Sequence, residues 1–249
     1  MTEWVNAEVI DIINWTDSLF SLRINAPIAN FIAGQFTKLS LNVNGKRISR
    51  AYSYVNAPSQ KLLEFYVINI PDGKFTPKLL KLKPEDNLMI AKEASGFFII
   101  KAIPKCDNLW MLATGTAIGP YLSILQQRDG LERFKNIILV HAVRYIKDLS
   151  YLLLMEELKE IYQGKLHIQT IISREKKHGH LHGRIPCLIK NNLLEETIGI
   201  SINNDNSNHI MLCGNPQMIV DTQKLLQESR NMYKNMRDKP GHITTENYW

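Results

Sequence analysis

The sequence predicts two domains: an antiparallel β-barrel over residues 1–101 and an α/β domain with a parallel sheet over residues 102–249. Three observations carry this. Before Pro104, short strand-like runs are separated by Asn, Gly, Pro and Asp, the pattern of a small barrel or sandwich. After Pro104, apolar strand-like runs alternate with helical segments, which requires parallel strands with crossover helices. The apolar run Leu109 to Ala113 also passes directly into Gly115-Thr116-Ala117-Ile118-Gly119-Pro120, a strand, a glycine turn and a helix start.

The first half offers strands at 5–13, 19–24, 35–41, 50–54, 63–69 and 87–90. One helix interrupts them. Asp72-Gly73-Lys74-Phe75 leads into Thr76, read as an N-cap, with Pro77 at the first helical position and a turn of helix through Leu80. The second half offers strands at 109–113, 137–143, 166–172 and 209–213. Helices are expected up to Leu125, from Leu149 to Tyr162, from Ile185 to Lys190, and from Gln217 to about Met232. The polar stretch 203–208 reads as a surface connection.

The composition excludes several classes. Apolar residues make up 45% and charged residues 22% of 249 residues, as in a globular protein. No apolar run approaches the roughly 18 residues of a membrane span. The N-terminus has no basic segment leading into an apolar one, so no secretory signal is expected. Three scattered cysteines, Cys106, Cys187 and Cys213, cannot form a disulfide framework, a structural zinc site or a four-thiolate cluster. The expected location is the reducing cytoplasm. The net charge of +6 favours acidic partners. Nucleic acid is one such partner, but Lys and Arg are spread along the chain without a basic stripe carrying aromatics, and an acidic protein partner fits as well.

Candidate site residues cluster at the strand ends. On a strand, Arg50 and Tyr52 share one face, while Ala51 and Ser53 share the other. A guanidinium fork beside an aromatic plane suits a ligand with a phosphate at one end and a flat ring system at the other. Four such residues alone also describe an ordinary half-buried strand. The short helix start after Phe75 and the glycine turn at 115–120 both bring backbone amides to where a pyrophosphate can sit. The turn's glycines are four apart, so it is not a G-x-G-x-x-G fingerprint. Where an NAD site would carry an acidic residue, the next strand ends in Val143-Arg144, and Arg174 and Arg184 follow. These arginines favour a 2′-phosphate. Cys213 reads as a small apolar residue lining a site. His178, His180 and His182 form a compact tract without carboxylate or thiol partners, so no metal is expected there. Tyr248 and Trp249 end a polar tail and are expected to dock on something flat.

Taken together, Arg50-Ala51-Tyr52-Ser53, Asp72-Gly73-Lys74, residues Ala113 to Pro120, Cys213-Gly214-Asn215-Pro216 and Tyr248-Trp249 resemble the bacterial ferredoxin/flavodoxin–NADP reductases, and among them the enterobacterial flavodoxin reductases. The likeness runs essentially end to end. It implies a ferredoxin reductase-like fold with FAD in the barrel domain and NADP(H) in the α/β domain. By resemblance, Arg50, Ala51, Tyr52, Ser53, Tyr66, Val67, Ile68, Asn69, Lys74, Phe75, Thr76 and Thr116 hold FAD, and Tyr248 and Trp249 cover it. Val143, Arg144, Ser173, Arg174, Arg184, Asn215, Pro216, Gln217 and Asp221 meet NADP. The implied chemistry is hydride transfer from C4 of NADPH to N5 of FAD, with Ser53 bonding N5 and Cys213 lining the nicotinamide pocket. Single electrons then pass to a small acidic carrier, flavodoxin or ferredoxin. A cytoplasmic monomer without membrane or nucleic-acid partners is expected. Two readings remain beside it: a relative that reduces free flavin or serves an oxygenase or dehydrogenase, and a non-enzymatic barrel that binds single-stranded nucleic acid.

Overall fold

A computed structural model describes residues 2–205 and 207–248. The described residues form two six-stranded sheets, which lie in two compact units. One unit comprises the chain up to Ile99 together with Gly119–Arg128. The other comprises Ile100–Ile118 and everything from Asp129 onward.

The first unit is an antiparallel, curled sheet. Its strands are β1 (Trp4–Asn14), β2 (Leu19–Asn25), β3 (Phe36–Val43), β4 (Lys46–Ser53), β5 (Leu63–Ile68) and, after helix α1 (Thr76–Leu79), β6 (Asn87–Ala91). The order β4-β3-β6-β1-β2-β5 leaves β4 and β5 at the edges. An isolated antiparallel bridge between Tyr54 and Phe65 joins those edges, and the Val55 N–H donates to Glu64 O at 2.9 Å. Closure of this kind removes the exposed edges that an open sheet would present. β3 and β4 meet through a two-residue turn at Asn44-Gly45, with Val43 paired to Lys46, so β4 begins four residues earlier than the alternating pattern indicated.

Alternation puts Val9, Phe20, Leu22, Ile24, Leu39, Phe65, Val67 and Ile90 into one core. Each such side chain contributes about 1.5–3 kcal/mol by leaving water. Helix α2 (Gly119–Gln127) belongs with this barrel. Ser123 Oγ donates to Asn56 O at 2.7 Å, Gln126 Nε2 donates to Val55 O at 2.8 Å, and Tyr121 meets Phe98 edge-on at 5.4 Å.

The second unit is a parallel sheet built from β7 (Asn108–Thr114), β8 (Asn136–Val143), β9 (Leu166–Ile172), the two-residue β10 (Leu181–His182), β11 (Asn208–Gly214) and β12 (Ile243–Asn247). Helices α3 (Leu152–Ile161), α4 (Ile185–Lys190), α5 (Leu193–Ile198) and α6 (Pro216–Arg230) connect them. The order is β10-β9-β8-β7-β11-β12. The chain therefore builds outward from β7 in one direction and later returns to build in the other, which makes the β7–β11 junction the topological switch point. Trp110, Leu112, Ile138, Val140, Ile171, Ile210 and Leu212 pack against α4, α5 and α6 through Ile185, Leu194, Ile219 and Leu226.

Four readings of the sequence need correction. Thr76 is not an N-cap: Phe75 holds that position without a side-chain bond, and Thr76 Oγ1 instead accepts from the Ile70 N–H at 2.9 Å. The helix expected from Leu149 starts at Leu152, because a 3₁₀ turn at Ile146–Asp148 precedes it. Asn208 is no surface residue. It opens β11, and its buried Oδ1 accepts from Trp110 Nε1 at 3.1 Å. The tail is also more than a docked end, because Ile243–Asn247 pairs in parallel with Ile210–Gly214. No sequence signal marks helix α5, which starts after Asn192 in the left-handed region (φ 57°) and without a side-chain cap bond.

Candidate functional site

The first unit gathers its candidates at the ends of β4 and β5. Arg50 is exposed and Tyr52 half-buried, and Arg50 Nη1 donates to Ser49 O at 2.8 Å. The Tyr52 ring stacks on Phe75, with centroids 6.1 Å apart and planes 24° apart. Burial pushes the Tyr52 phenol above its usual range, with the Arg50 charge pulling back, so the hydroxyl stays a neutral donor at physiological pH. Ser53 is buried. Continuing the Tyr54–Phe65 antiparallel register by one step places it across from buried Tyr66. Val67 is buried, Ile68 and Asn69 are half-buried, and Ala51 and Lys74 are exposed.

Past β5 the chain folds back on itself. The Asn69 N–H donates to Ser18 O at 2.6 Å, and the Gly73 N–H donates to Ile70 O at 2.8 Å. Asn69 Oδ1 is buried and has no hydrogen-bond partner among the described residues. A buried acceptor left unpaired costs about 1–3 kcal/mol, so a bound group that donates a hydrogen bond here would fit. An aromatic wall, a guanidinium and a waiting acceptor together fit a flat ring system bearing N–H groups and phosphates.

The second unit gathers its candidates at two pairs of strand ends. At the switch point, Thr114 ends β7 and Gly214 ends β11. Gly214 has φ +132°, and a Cβ there would lie 2.0 Å from Thr114 Oγ1, so only glycine fits. Thr114 Oγ1 accepts from the Asn215 N–H at 2.8 Å. The Asn215 side chain caps α6, accepting from the Gln217 and Met218 N–H groups at 3.0 and 3.2 Å. Pro216 sits in the first turn, and Gln217 Nε2 reaches Asp221 Oδ1 at 2.7 Å. The glycine turn is a 3₁₀ turn over Gly115–Ile118, with Thr116 buried.

Beneath that turn lies a residue the sequence reading passed over. His141 is fully buried on β8, and its Nε2 is 3.0 Å from Gly115 O. A carbonyl only accepts, so Nε2 carries the proton. Burial lowers the imidazole pKa to about 4, despite the bond to Gly115. The signal for this residue was a lone polar side chain inside the apolar run 137–143.

The second pair is β8 and β9. Ser173 donates to Val143 O through both its N–H (3.0 Å) and its Oγ (3.2 Å), and the Arg174 N–H donates to Arg144 O at 3.0 Å. These two bonds tie the chain together just past the strand ends and bring the backbones of Arg144 and Arg174 close, both residues being exposed. The Arg174 guanidinium stands 5.8 Å from the centre of the Tyr145 ring. Arg184, also exposed, follows β10 and precedes α4. Cys213 is fully buried. Burial, and then the Glu246 charge, hold its thiol well above the usual range, so it stays protonated and is no nucleophile. Tyr248 is tied by its N–H to Gly214 O at 3.2 Å. Trp249 lies outside the described residues.

Residues 7–96 match the Oxidoreductase FAD-binding domain family, and residues 111–224 match the Oxidoreductase NAD-binding domain family. The chain is 57% identical over 249 residues to the flavodoxin/ferredoxin–NADP reductase of Escherichia coli (strain K12), covering 100% of both chains. It is 55% identical to the flavodoxin/ferredoxin–NADP reductase of Buchnera aphidicola subsp. Schizaphis graminum, again over 100% of both. Among solved structures, a ferredoxin NADP+ reductase from Neisseria gonorrhoeae with bound FAD and NADP superposes with a TM-score of 0.92, at 29% identity and 100% coverage of each chain. With full-length identity far above what fold alone would give, the chain belongs to the flavodoxin/ferredoxin–NADP reductase family of oxidoreductases.

Proposed function

We propose that this chain moves electrons between NADPH and a small acidic one-electron carrier, a flavodoxin or ferredoxin, with FAD as the intermediary. The observation that carries the reading is the 57% identity along the whole length to a flavodoxin/ferredoxin–NADP reductase. The site geometry supports it. Arg50, Tyr52, Phe75 and the unpaired Asn69 Oδ1 fit FAD, which when bound accepts a two-electron hydride and releases electrons singly. In this reading Ser53 offers its hydroxyl to the flavin ring nitrogen N5. Tyr66, Val67, Ile68, Lys74 and Thr76 complete the barrel side of the pocket.

For the nicotinamide nucleotide, α6 presents an N-terminus already capped by Asn215, with Pro216, Gln217 and Asp221 on its first turns. Cys213 contributes a neutral, uncharged wall. The paired Arg144 and Arg174, with Ser173 and Arg184, receive the 2′-phosphate and so select NADPH over NADH. The three free cysteines fit a reducing cytoplasm. One chain carries both nucleotide-binding domains, so a monomer suffices. Purified protein should be yellow with FAD bound, and anaerobic NADPH should bleach it. Colourless protein, or colour that NADPH leaves unchanged, would overturn the reading.

A further inference from the structure

The histidine tract that the metal question left aside has a defined place. β10 returns alongside the end of β9, with Leu181 paired to Ile171 and His182 to Ile172. His182 Nδ1 lies 3.0 Å from Ile172 O and 3.0 Å from Glu175 O. Both partners are carbonyls and can only accept, so Nδ1 carries the proton and shares it between them. Those two carbonyls bracket Ser173 and Arg174. One imidazole therefore fastens both ends of the turn that presents Arg174, and the next residue but one along the chain is Arg184.

Neighbouring bonds act in the same place. The Gly183 N–H donates to Ile172 O at 3.2 Å, and His180 Nδ1 is 2.6 Å from Thr170 Oγ1. From the β8 side, the Ile146 N–H donates to Glu175 Oε1 at 2.5 Å. A planar guanidinium binds a phosphate with two parallel hydrogen bonds only when its backbone is held at the right distance and angle. The His182 clasp supplies that constraint on a loop that otherwise ends in exposed Lys176, Lys177 and His178.

We propose that His182 is a positioning residue for cofactor selection: by clasping the 172–175 turn it holds Arg174, and through Gly183 Arg184, at the spacing that a 2′-phosphate requires. This rests on the reading that those arginines receive the 2′-phosphate. The test compares His182→Ala, His182→Asn and Arg174→Ala in the FAD-loaded enzyme. Calorimetry measures the affinity for 2′,5′-ADP, and KM for NADH serves as the control without a 2′-phosphate. His182 is exposed, so its truncation leaves the core intact.

His182→Ala is expected to weaken 2′,5′-ADP binding about threefold to tenfold, the share of one hydrogen bond, with KM for NADH unchanged. His182→Asn keeps a side-chain N–H near the Nδ1 position and should restore most of the affinity. If Arg174→Ala loses 2′,5′-ADP while His182→Ala binds it like the parent, the clasp is wrong and the arginine site stands. Equal weakening toward 2′,5′-ADP and NADH in His182→Ala also overturns the clasp. If Arg174→Ala itself leaves 2′,5′-ADP binding untouched, the arginine site is wrong and the clasp falls with it.

Discussion

Thr114 Oγ1 stands 2.0 Å from the point where a Cβ on Gly214 would sit, so the ends of β7 and β11 approach more closely than any side chain permits. The approach has a purpose in the local bonding. It lets Thr114 Oγ1 take the Asn215 N–H at 2.8 Å, which aims the Asn215 cap and the start of α6 at the switch point. Gly214→Ala should cost about 2–6 kcal/mol, from roughly 1–3 for φ +132° and roughly 1–3 for the collision. Urea denaturation of the FAD-loaded protein measures this. Thr114→Ala in the same chain should recover part of the loss but not all, because the Thr114 backbone N and O also lie 3.1 Å from that Cβ. A Gly214→Ala protein as stable as the parent would contradict the packing.

Acidification should loosen the α/β unit through two buried histidines. Burial lowers His141 to about 4. It lowers His209 to about 3, with the His242 and Arg133 charges adding to the effect. Both folded pKa values fall below the unfolded value near 6.5, so the unfolded chain binds more protons as pH drops. Stability from these groups is complete above about pH 6.5 and declines below it, by about 1.4 kcal/mol per pH unit for each histidine. Denaturation midpoints between pH 7.5 and 5, at fixed FAD, read the slope. His209→Gln should flatten it by one histidine's share, and an unchanged slope would mean that His209 is protonated in the fold.

Most of the architecture was legible because the periodicities are clean. Alternation over 19–24 and 63–69 can only face one core, and apolar runs such as 137–143 are what a strand covered on both faces needs. Three features were hidden for physical reasons. β12 reads Ile-Thr-Thr-Glu-Asn, with half-buried polar residues at the sheet edge, so no apolar signal marks it. Helix α2 sits inside the α/β stretch in sequence yet bonds to Val55 and Asn56 of the barrel, a long-range relation that periodicity cannot carry. The roles of His141 and His182 depend on which carbonyl each ring meets, and that emerges only once β8, β9 and β10 are in register. The strand-end arginines, by contrast, could be placed as soon as the strands were.

Arg144 and Arg174 should govern the choice of nucleotide. The Arg174 N–H to Arg144 O bond holds their backbones together, and a charged hydrogen bond to phosphate contributes about 1.5–3 kcal/mol. Either Arg144→Ala or Arg174→Ala should therefore raise KM for NADPH by about tenfold to a hundredfold and leave KM for NADH nearly unchanged. Steady-state assays with both nucleotides decide the matter. An equal rise for both would place the arginines elsewhere than at the 2′-phosphate.

The net charge of +6 makes a separate prediction about the carrier. Between an acidic carrier and a basic reductase, long-range attraction raises the encounter rate, and salt shortens its reach from about 30 Å at 0.01 M to about 3 Å at 1 M. The second-order rate constant for reducing an acidic flavodoxin should fall about tenfold or more between low and high salt. Reduction of a neutral small-molecule acceptor by the same enzyme should stay flat, because its encounter has no charge to screen. Stopped-flow traces at constant pH with both acceptors separate the encounter from the flavin chemistry. A flavodoxin rate as flat as the neutral acceptor's would mean that shape and apolar contact, rather than charge, bring the carrier to the reductase.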